Sequence, residues 1–430
     1  MSALTDRIAE DFAAAASTLP GNVAAAARRR SAISSLAARG LPSTRDENWK
    51  YANLRSLERV RFRPAPPAQS LPAGGALPQP LPGIARWLFI DGRFAPAASA
   101  TPFAGAAVRL LAPRDDDAVQ AAEISAADER FALLNEAFAS DGLTIDVPSS
   151  SATALQLEVL FLASAAAQSG ASYPRLEVRL APGTQLTLIE RHLSAGSDAS
   201  FVTSAVQVEI GRGARLEHYR LQELNARSIL FDTLSARLAE EATYRLQAIS
   251  TGAQAARSTL ALALTGQRAE LALAVAALGD AHQVQDTYAL VEHAAPDART
   301  LQTFRGIAAG RARVAFNGKI IVAPGAHGTD SRQSLRGLLA GPEAEIDVRP
   351  QLEIYTDDVR CSHGATAGKL DDDMLFYLLA RGLDRDAAQR LLKWAFLEDV
   401  ISQIALSPLR RQVEERLAGQ LRDDALRELL

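Results

Sequence analysis

The stretch Leu176-Glu-Val-Arg-Leu-Ala-Pro-Gly-Thr-Gln-Leu-Thr-Leu188 decides the fold class. Leu176, Val178 and Leu180 alternate with charged residues, Pro182-Gly183 makes a tight turn, and Leu186 and Leu188 resume the alternation. A period of two places apolar side chains on one face of a strand. The same unit recurs between about Leu155 and Ile354. Val206-x-Val208-x-Ile210 precedes Gly211-Arg-Gly213, Leu260-x-Leu262-x-Leu264 precedes Gly266, and Leu338-Leu339 precedes Gly341-Pro342. Turns at 183, 212, 241, 266, 310 and 342 recur at irregular intervals of roughly 25–45 residues, which suggests stacked β-units. No helical crossover intervenes, which argues against a doubly wound α/β sheet. A sandwich and a β-solenoid both fit this periodicity.

Outward from this region the period changes. Leu4, Ile8 and Phe12 repeat at helical spacing up to Pro20-Gly21, and an Ala-rich helix is predicted from Asn22 to Arg39, with Gly40 and Pro42 closing it. Arg28-Arg-Arg30 reads as the solvated face of that helix. Glu47-Asn-Trp-Lys-Tyr51 reads as an aromatic cluster that docks the helices onto the next domain. Residues 64–83 hold seven prolines and three glycines, the composition of a stiff extended linker. Trp87-Leu-Phe-Ile-Asp-Gly-Arg-Phe94 follows as a strand with an Asp-Gly turn, then a helix near 128–139 and a strand through Val147. At the other end, Asp371 to Asp373, Asp384 and Ser407-Pro408 cap three helices, and Leu391, Leu392, Ala395, Phe396, Val400 and Ile404 are expected to form one apolar face. The expected organisation is a helical region 1–63, a linker 64–83, a mixed α/β connection 84–150, a β-core 151–368 and a helical region 369–430.

Composition narrows the function. The chain has 430 residues, a net charge of −4 and a single cysteine. No basic stripe with interleaved aromatics points to nucleic acid. One cysteine excludes an internal disulfide framework, and the acidic opening residues lack the apolar core of a signal peptide, so a cytoplasmic protein is expected. No run of about 20 apolar residues is present to span a membrane. Asn317-Gly-Lys-Ile320 lacks the upstream glycine and the Ser/Thr of a phosphate-binding loop, so ATP hydrolysis by this chain alone is not expected. His192, His218, His282, His293 and His327 show no paired zinc-ligand spacing and read as ordinary strand or turn histidines.

Cys361 and His363 stand apart, in Leu352-Glu-Ile-Tyr-Thr-Asp-Asp-Val-Arg-Cys-Ser-His-Gly-Ala-Thr-Ala-Gly368. They lie where the β-region gives way to helical spacing, and Gly364 to Gly368 is expected to release the chain from the strand. On an extended backbone their side chains share one face. Three readings stay open. One is a buried thiol beside a hydrogen-bonded histidine. Another is a thiolate activated by His363. The third is a metal site, which needs about four ligands, mostly thiolates for a cluster. Unless Asp357 or Asp358 contributes, the missing ligands must come from another subunit. Two further function classes stay open: a β-solenoid enzyme acting on a polysaccharide, and a purely structural adaptor.

Phe316-Asn-Gly-Lys-Ile-Ile-Val322, Pro350-Gln-Leu-Glu-Ile354, Asp357-Asp-Val-Arg-Cys-Ser-His-Gly-Ala-Thr366 and Leu375-Phe-Tyr-Leu-Leu-Ala-Arg-Gly-Leu383 together resemble the SufB/SufD family of SUF iron–sulfur cluster assembly scaffolds. Weaker echoes lie at Glu47–Tyr51 and Leu134–Phe138, and the Cys-Ser-His-Gly-Ala-Thr form is similar to the SufD branch. The resemblance implies a right-handed parallel β-helix core between N- and C-terminal helical regions, and a scaffold rather than an enzyme. It implies pairing with a SufB-type paralogue at the end of the β-helix and docking of a SufC-type ABC ATPase on the C-terminal helices. By the same resemblance, His363 and Cys361 fall on the interface site that builds a transient cluster or handles iron. Phe376, Tyr377 and Arg381 fall on the segment associated with ATPase docking. ATP would act only through the partner. Flavin is associated with the assembled complex, and no residue here marks a flavin site. A homodimer of the isolated chain is a further expectation, because an open solenoid end carries unpaired backbone groups.

Overall fold

Alternating apolar residues form strands, and what each strand pairs with sets the architecture. In the computed structural model the described residues are 3–68, 77–96, 99, 107–110, 128–149, 151, 154–164 and 170–421. Helices α1 (Ala3–Ala15) and α2 (Val23–Arg39) open the chain, followed by 3₁₀ turns at Glu47–Trp49 and Leu54–Arg59. Next come β1 (Ala85–Ile90), β2 (Arg93–Phe94), β3 (Ala107–Leu110), α3 (Arg130–Phe138) and β4 (Leu143–Val147). Short β6 (Ala171–Ser172) lies between β5 (Leu155–Ala163) and β7 (Arg175–Leu180). Then β8 (Gln185–Ser194), β9 (Phe201–Ile210), β10 (Arg215–Glu223), β11 (Ile229–Leu238), β12 (Thr243–Ser250) and β13 (Ala255–Leu264) follow. The series continues with β14 (Glu270–Gly279), β15 (Val284–His293), β16 (Arg299–Ala308), β17 (Arg313–Val322) and β18 (Thr329–Leu339). It ends with β19 (Glu345–Ile354) and β20 (Val359–Gly368), and α4 (Asp372–Ala380), α5 (Arg385–Ile401) and α6 (Ser407–Leu421) close the described chain.

Strands consecutive in sequence belong to opposite sheets. β8 and β9 do not pair; β8 pairs in parallel with β10, and β9 with β11. One sheet runs β2-β1-β5-β8-β10-β12-β14-β16-β18-β20, and the other β19-β17-β15-β13-β11-β9-β7-β4-β3. The pairings are parallel except β1 with β2 and β3 with β4. The result is a parallel β-solenoid of about seven turns with helices at both ends of the chain, which resolves the sandwich alternative.

The turns have a regularity that the irregular sequence spacing hid. Gly183, Gly213, Glu241, Arg268, Asp297 and Gly328 all have positive φ and lie 27 to 31 residues apart. Each donates its backbone N–H to the corresponding turn of the following coil: Gly183 to Arg212, Gly213 to Glu240, Glu241 to Gln267, Arg268 to Pro296, Asp297 to His327 and Gly328 to Asp358, at 2.7–3.1 Å. Ala253, Ala281 and Gly310 mark a second corner, also with positive φ. Residues 310 and 342 therefore belong to a different corner from 183, and mixing two corners produced the uneven intervals.

Leu188, Leu216, Leu246, Leu262 and Leu273 fill the lumen in one continuous core. The two outer faces receive the helices. On the odd-numbered sheet, Phe201, Ile229 and Phe231 pack against Ile8, Phe12, Leu36, Trp49 and Phe131. Trp49 stacks on Phe231, with ring centroids 6.2 Å apart, and carries the Arg257 guanidinium 4.5 Å above its ring, so the aromatic segment docks the N-terminal helices as expected. Arg29 does not belong to a solvated face: it donates to the carbonyls of Ala137 (3.1 Å) and Pro20 (3.1 Å), tying α2 to α3. At the Pro-rich stretch, Pro64 bridges Ala171 and Leu81 is buried against the C-terminal helices, while residues 69–76 lie outside the described residues.

On the even-numbered sheet, Ile189, Tyr219, Ile249 and Ile307 pack against α5 and α6. The face of α5 that reaches them differs from the expected one. Ala388, Leu397, Val400, Ile401 and Ile404 are buried, whereas Leu391 is exposed. Buried Arg305 on β16 donates from Nε to Asp399 at 2.9 Å, which fixes the rotation of the helix about its axis.

Candidate functional site

The last coil differs from every inner one. Residues of β19 and β20 are half-buried or exposed along their length, because each terminal strand has a neighbour on one side only. β20 pairs with β18 as far as Leu338 opposite Gly368. The chain is therefore not released at Gly364; the ladder to β18 holds the glycines in the strand. An added Cβ at Gly364 or Gly368 would meet nothing within 4 Å, as befits an open edge.

Cys361 lies opposite Ser331 and His363 opposite Gln333, on a face continuous with the lumen. Cys361 is half-buried against the core cluster, and His363 is exposed. The orientation of their backbone follows from the ladder. Asp330 donates its N–H to Ala298, the residue just before β16, so the alternation of a parallel pair turns Ser331 toward β20. Its partner Cys361, and His363 two residues on, then direct N–H and C=O to the open edge. In β19 the same alternation, set by Glu345 and Tyr355 donating to Ala312 and Val322, turns Pro350 outward. Its missing N–H costs no ladder bond there.

Directly beneath this pair the lumen is polar. Gln333 Nε2 donates to Gln302 Oε1 (3.0 Å) and to the Gly318 carbonyl (3.0 Å). Ser331 Oγ, Gln333 Oε1 and Gln302 Nε2 are buried without a hydrogen-bond partner among the described residues. Such atoms are costly in an interior; others lie along the chain, at Thr203 and His293 for example, and these three lie together under the open coil.

Burial pushes the Cys361 thiol up, the Asp330 carboxylate adds to this, and a hydrogen bond from the Ser331 backbone opposes it. An activated thiolate therefore finds no support. Asp357 and Asp358 do not complete a metal site: among the described residues no group of three or more His, Cys, Asp and Glu could hold a metal ion.

Past the strand, Asp371 caps α4 by accepting from Asp373 and Met374. Only Leu375 of that helix is buried; Phe376 (72 % exposed), Tyr377 (55 %) and Met374 (59 %) face outward. The Arg381 guanidinium lies 4.7 Å from the centre of the Tyr377 ring. Tyr377 and Arg381 thus make an exposed aromatic–cationic contact, and Phe376 is exposed one residue before it.

Two of the scattered histidines are more than ordinary strand residues. His192 and His218 both approach Glu190 inside the solenoid, Nε2 to carboxylate at 2.8 and 3.2 Å. Arg220 donates two further bonds to Glu190 at 2.9 Å and pairs with Asp232 at 2.7 Å. Burial alone would raise the Glu190 carboxyl, but the Arg220 charge and the hydrogen bonds from His192, His218 and Arg220 hold it well below the usual range. Burial lowers His218, against the pull of Glu190, and its Nδ1 lies 3.0 Å from Tyr244 Oη. In sequence Glu190 and His192 lie a whole coil from His218 and Arg220, and Tyr244 lies a further coil on, so only the register could have gathered them.

The family model described as SUF system FeS cluster assembly, SufBD core domain, matches residues 161–396. The iron–sulfur cluster assembly protein SufD of Escherichia coli (strain K12) is 32% identical over 387 residues, covering 89% of this chain and 90% of that protein. An iron–sulfur cluster assembly SufBD family protein of Synechocystis is 27% identical over 405 residues, covering 90% and 89%. A chloroplastic protein of Arabidopsis thaliana is 29% identical over 252 residues, 58% of this chain and 53% of its own. Among the described residues no helix is long and apolar enough to cross a membrane.

Proposed function

The chain belongs to the SufBD family of the SUF iron–sulfur cluster assembly system, as a SufD-type member with a role in cluster assembly, and from that premise we propose that it acts as a non-catalytic scaffold subunit in the cytoplasm. It pairs through its open β19–β20 coil with a SufB-type paralogue and carries a SufC-type ABC ATPase on the surface formed by Phe376, Tyr377 and Arg381. The cluster, or the iron that goes into it, is cargo held transiently at the paired edge. Cys361 and His363 supply part of its ligand set and the partner supplies the rest. Without a paralogue, the same edge pairs with a second copy of this chain.

The observation that carries this reading is the open terminal coil with Cys361 and His363 on its lumen face, above unsatisfied Ser331 and Gln333. A thiol and an imidazole are two ligands where a cluster needs about four. An edge whose backbone groups point outward is a template for β-pairing. ATP-driven rearrangement reaches the edge through the partner ATPase, since the chain has no phosphate-binding loop of its own.

The test is iron binding and cluster reconstitution, followed by absorption spectra, on the purified chain with and without its partners. His363→Ala should leave folding and complex assembly intact and abolish cluster formation. Cys361→Ser should be milder, because the partner provides most thiolates. Normal cluster yield and iron content in the His363 variant would sink the assignment.

A further inference from the structure

Beside the 3₁₀ turn Leu54–Arg59, where it meets the starts of β9 and β11, four arginines line one groove. It has a volume of about 850 Å³, and Arg55, Arg59, Arg61 and Arg227 line it against a single acid, Glu58. The backbone accounts for their convergence. Leu54–Arg59 forms a 3₁₀ turn that presents Arg55 and Arg59, and the extended chain after it buries Val60 and Phe62 and leaves Arg59 and Arg61 outward. Phe62 is pinned by its N–H donating to Asp11 Oδ2 at 2.8 Å, which fixes that alternation. Arg227 arrives from the turn before β11, and Phe201 and Ile229 form the apolar floor.

The charge here is out of keeping with the rest of the molecule. The chain as a whole carries 46 basic and 50 acidic residues. Several arginines elsewhere on the solenoid surface face acids: Arg212 with Glu240, Arg268 with Glu241, Arg311 with Glu343 and Arg313 with Glu345. In the groove, Arg55, Arg59 and Arg61 have no ion pair and no side-chain hydrogen bond with any described residue. Arg227 makes one long contact, to the Ser197 carbonyl at 3.5 Å.

We propose that this groove binds a phosphate-bearing small molecule of nucleotide size. Planar guanidinium groups match phosphate oxygens in bidentate geometry, which makes arginine the residue for this recognition. Small-molecule sites of about 300–1,000 Å³ combine a few such polar groups with an apolar wall, as Phe201 and Ile229 provide here. The groove lies outside the Cys361–His363 edge and the Phe376–Arg381 surface, so its occupancy is independent of the scaffold reading.

Calorimetric titration of the full chain with pyrophosphate and with ADP, over a range of salt, tests this. Saturable binding of one ADP per chain is expected, weakening as salt rises and falling roughly tenfold or more in the double variant Arg59→Gln/Arg61→Gln. Both arginines are exposed, so an unchanged melting temperature should accompany the loss. Arg311→Gln/Arg313→Gln, on the surface elsewhere, should bind like the parent chain. Absence of saturable binding, or binding that the Arg59/Arg61 variant leaves intact, overturns the proposal. Pyrophosphate binding without ADP binding overturns the nucleotide size, and binding of a single-stranded oligonucleotide alone would assign the groove to a macromolecule instead.

Discussion

Replacing Glu190 by Gln should destabilise the solenoid from within. The carboxylate accepts four bonds: from His192 at 2.8 Å, His218 at 3.2 Å, and Arg220 Nε and Nη2 at 2.9 Å each. An amide keeps one oxygen and turns an NH₂ toward two of those donors. Two charge-assisted bonds are then lost, at about 1.5–3 kcal/mol each. Arg220 keeps Asp232 at 2.7 Å, so it is not left wholly unpaired, and the lower part of that sum applies, about 3 kcal/mol. With a urea slope of about 3 kcal/mol per M or more for so long a chain, the unfolding midpoint should fall by up to about 1 M. The pH dependence supplies an independent reading. The folded carboxyl is depressed, so its contribution is fully present above the unfolded value of about 4.3 and is lost as pH falls below that toward the folded value. Glu190→Gln should therefore flatten the acid limb of the stability profile as well as lowering its plateau. A midpoint within error of the parent chain, with the acid limb unchanged, would refute the account of this cluster as a buried ion network.

Trp49→Ala should cost about 3–5 kcal/mol, the usual range for a buried aromatic, and loosen the N-terminal helices, seen as faster limited proteolysis before residue 62 while the solenoid resists. Gly266→Ala should disrupt folding, since the new Cβ would sit 1.9 Å from the Glu240 nitrogen, whereas Gly183→Ala, strained only by its φ of +73°, should cost about 1 kcal/mol in a thermal melt. His293 is lowered to about 4 by burial, so its contribution is fully present above about pH 6.5 and lost on the way down to about 4; His293→Asn should remove that part of the acid dependence in a melt series.

The strands themselves were legible, because Leu176, Val178, Leu186 and Leu188 state a period of two plainly. Their pairing was not. A strand, a turn and a strand look alike whether the two strands pair with each other or each pairs with the next coil, and Pro182-Gly183 could serve either. Half of the left-handed corner positions carry Glu241, Arg268 and Asp297 instead of glycine, because the stacked N–H to carbonyl bonds stabilise them. Glycine counting therefore misses them. Cys361 and His363 were legible as a pair by their spacing, but the unsatisfied Ser331 and Gln333 beneath them were not, since they are thirty residues away and adjacent only through register. Arg29 misled for a similar reason: whether an arginine meets water or a carbonyl depends on where α3 lies.

The ladder of corner bonds also constrains how such a chain can change length. Each corner residue needs its donor and acceptor in the neighbouring coils, so insertion or loss of a few residues breaks the ladder, while gain or loss of a whole coil of 27 to 31 residues preserves it. Strands stack about 4.8 Å apart, so the terminal Cys361–His363 edge can move relative to the docked helices only in steps of that size. Distance between the edge and the C-terminal surface is in this sense quantised: the reach of the molecule is counted in coils.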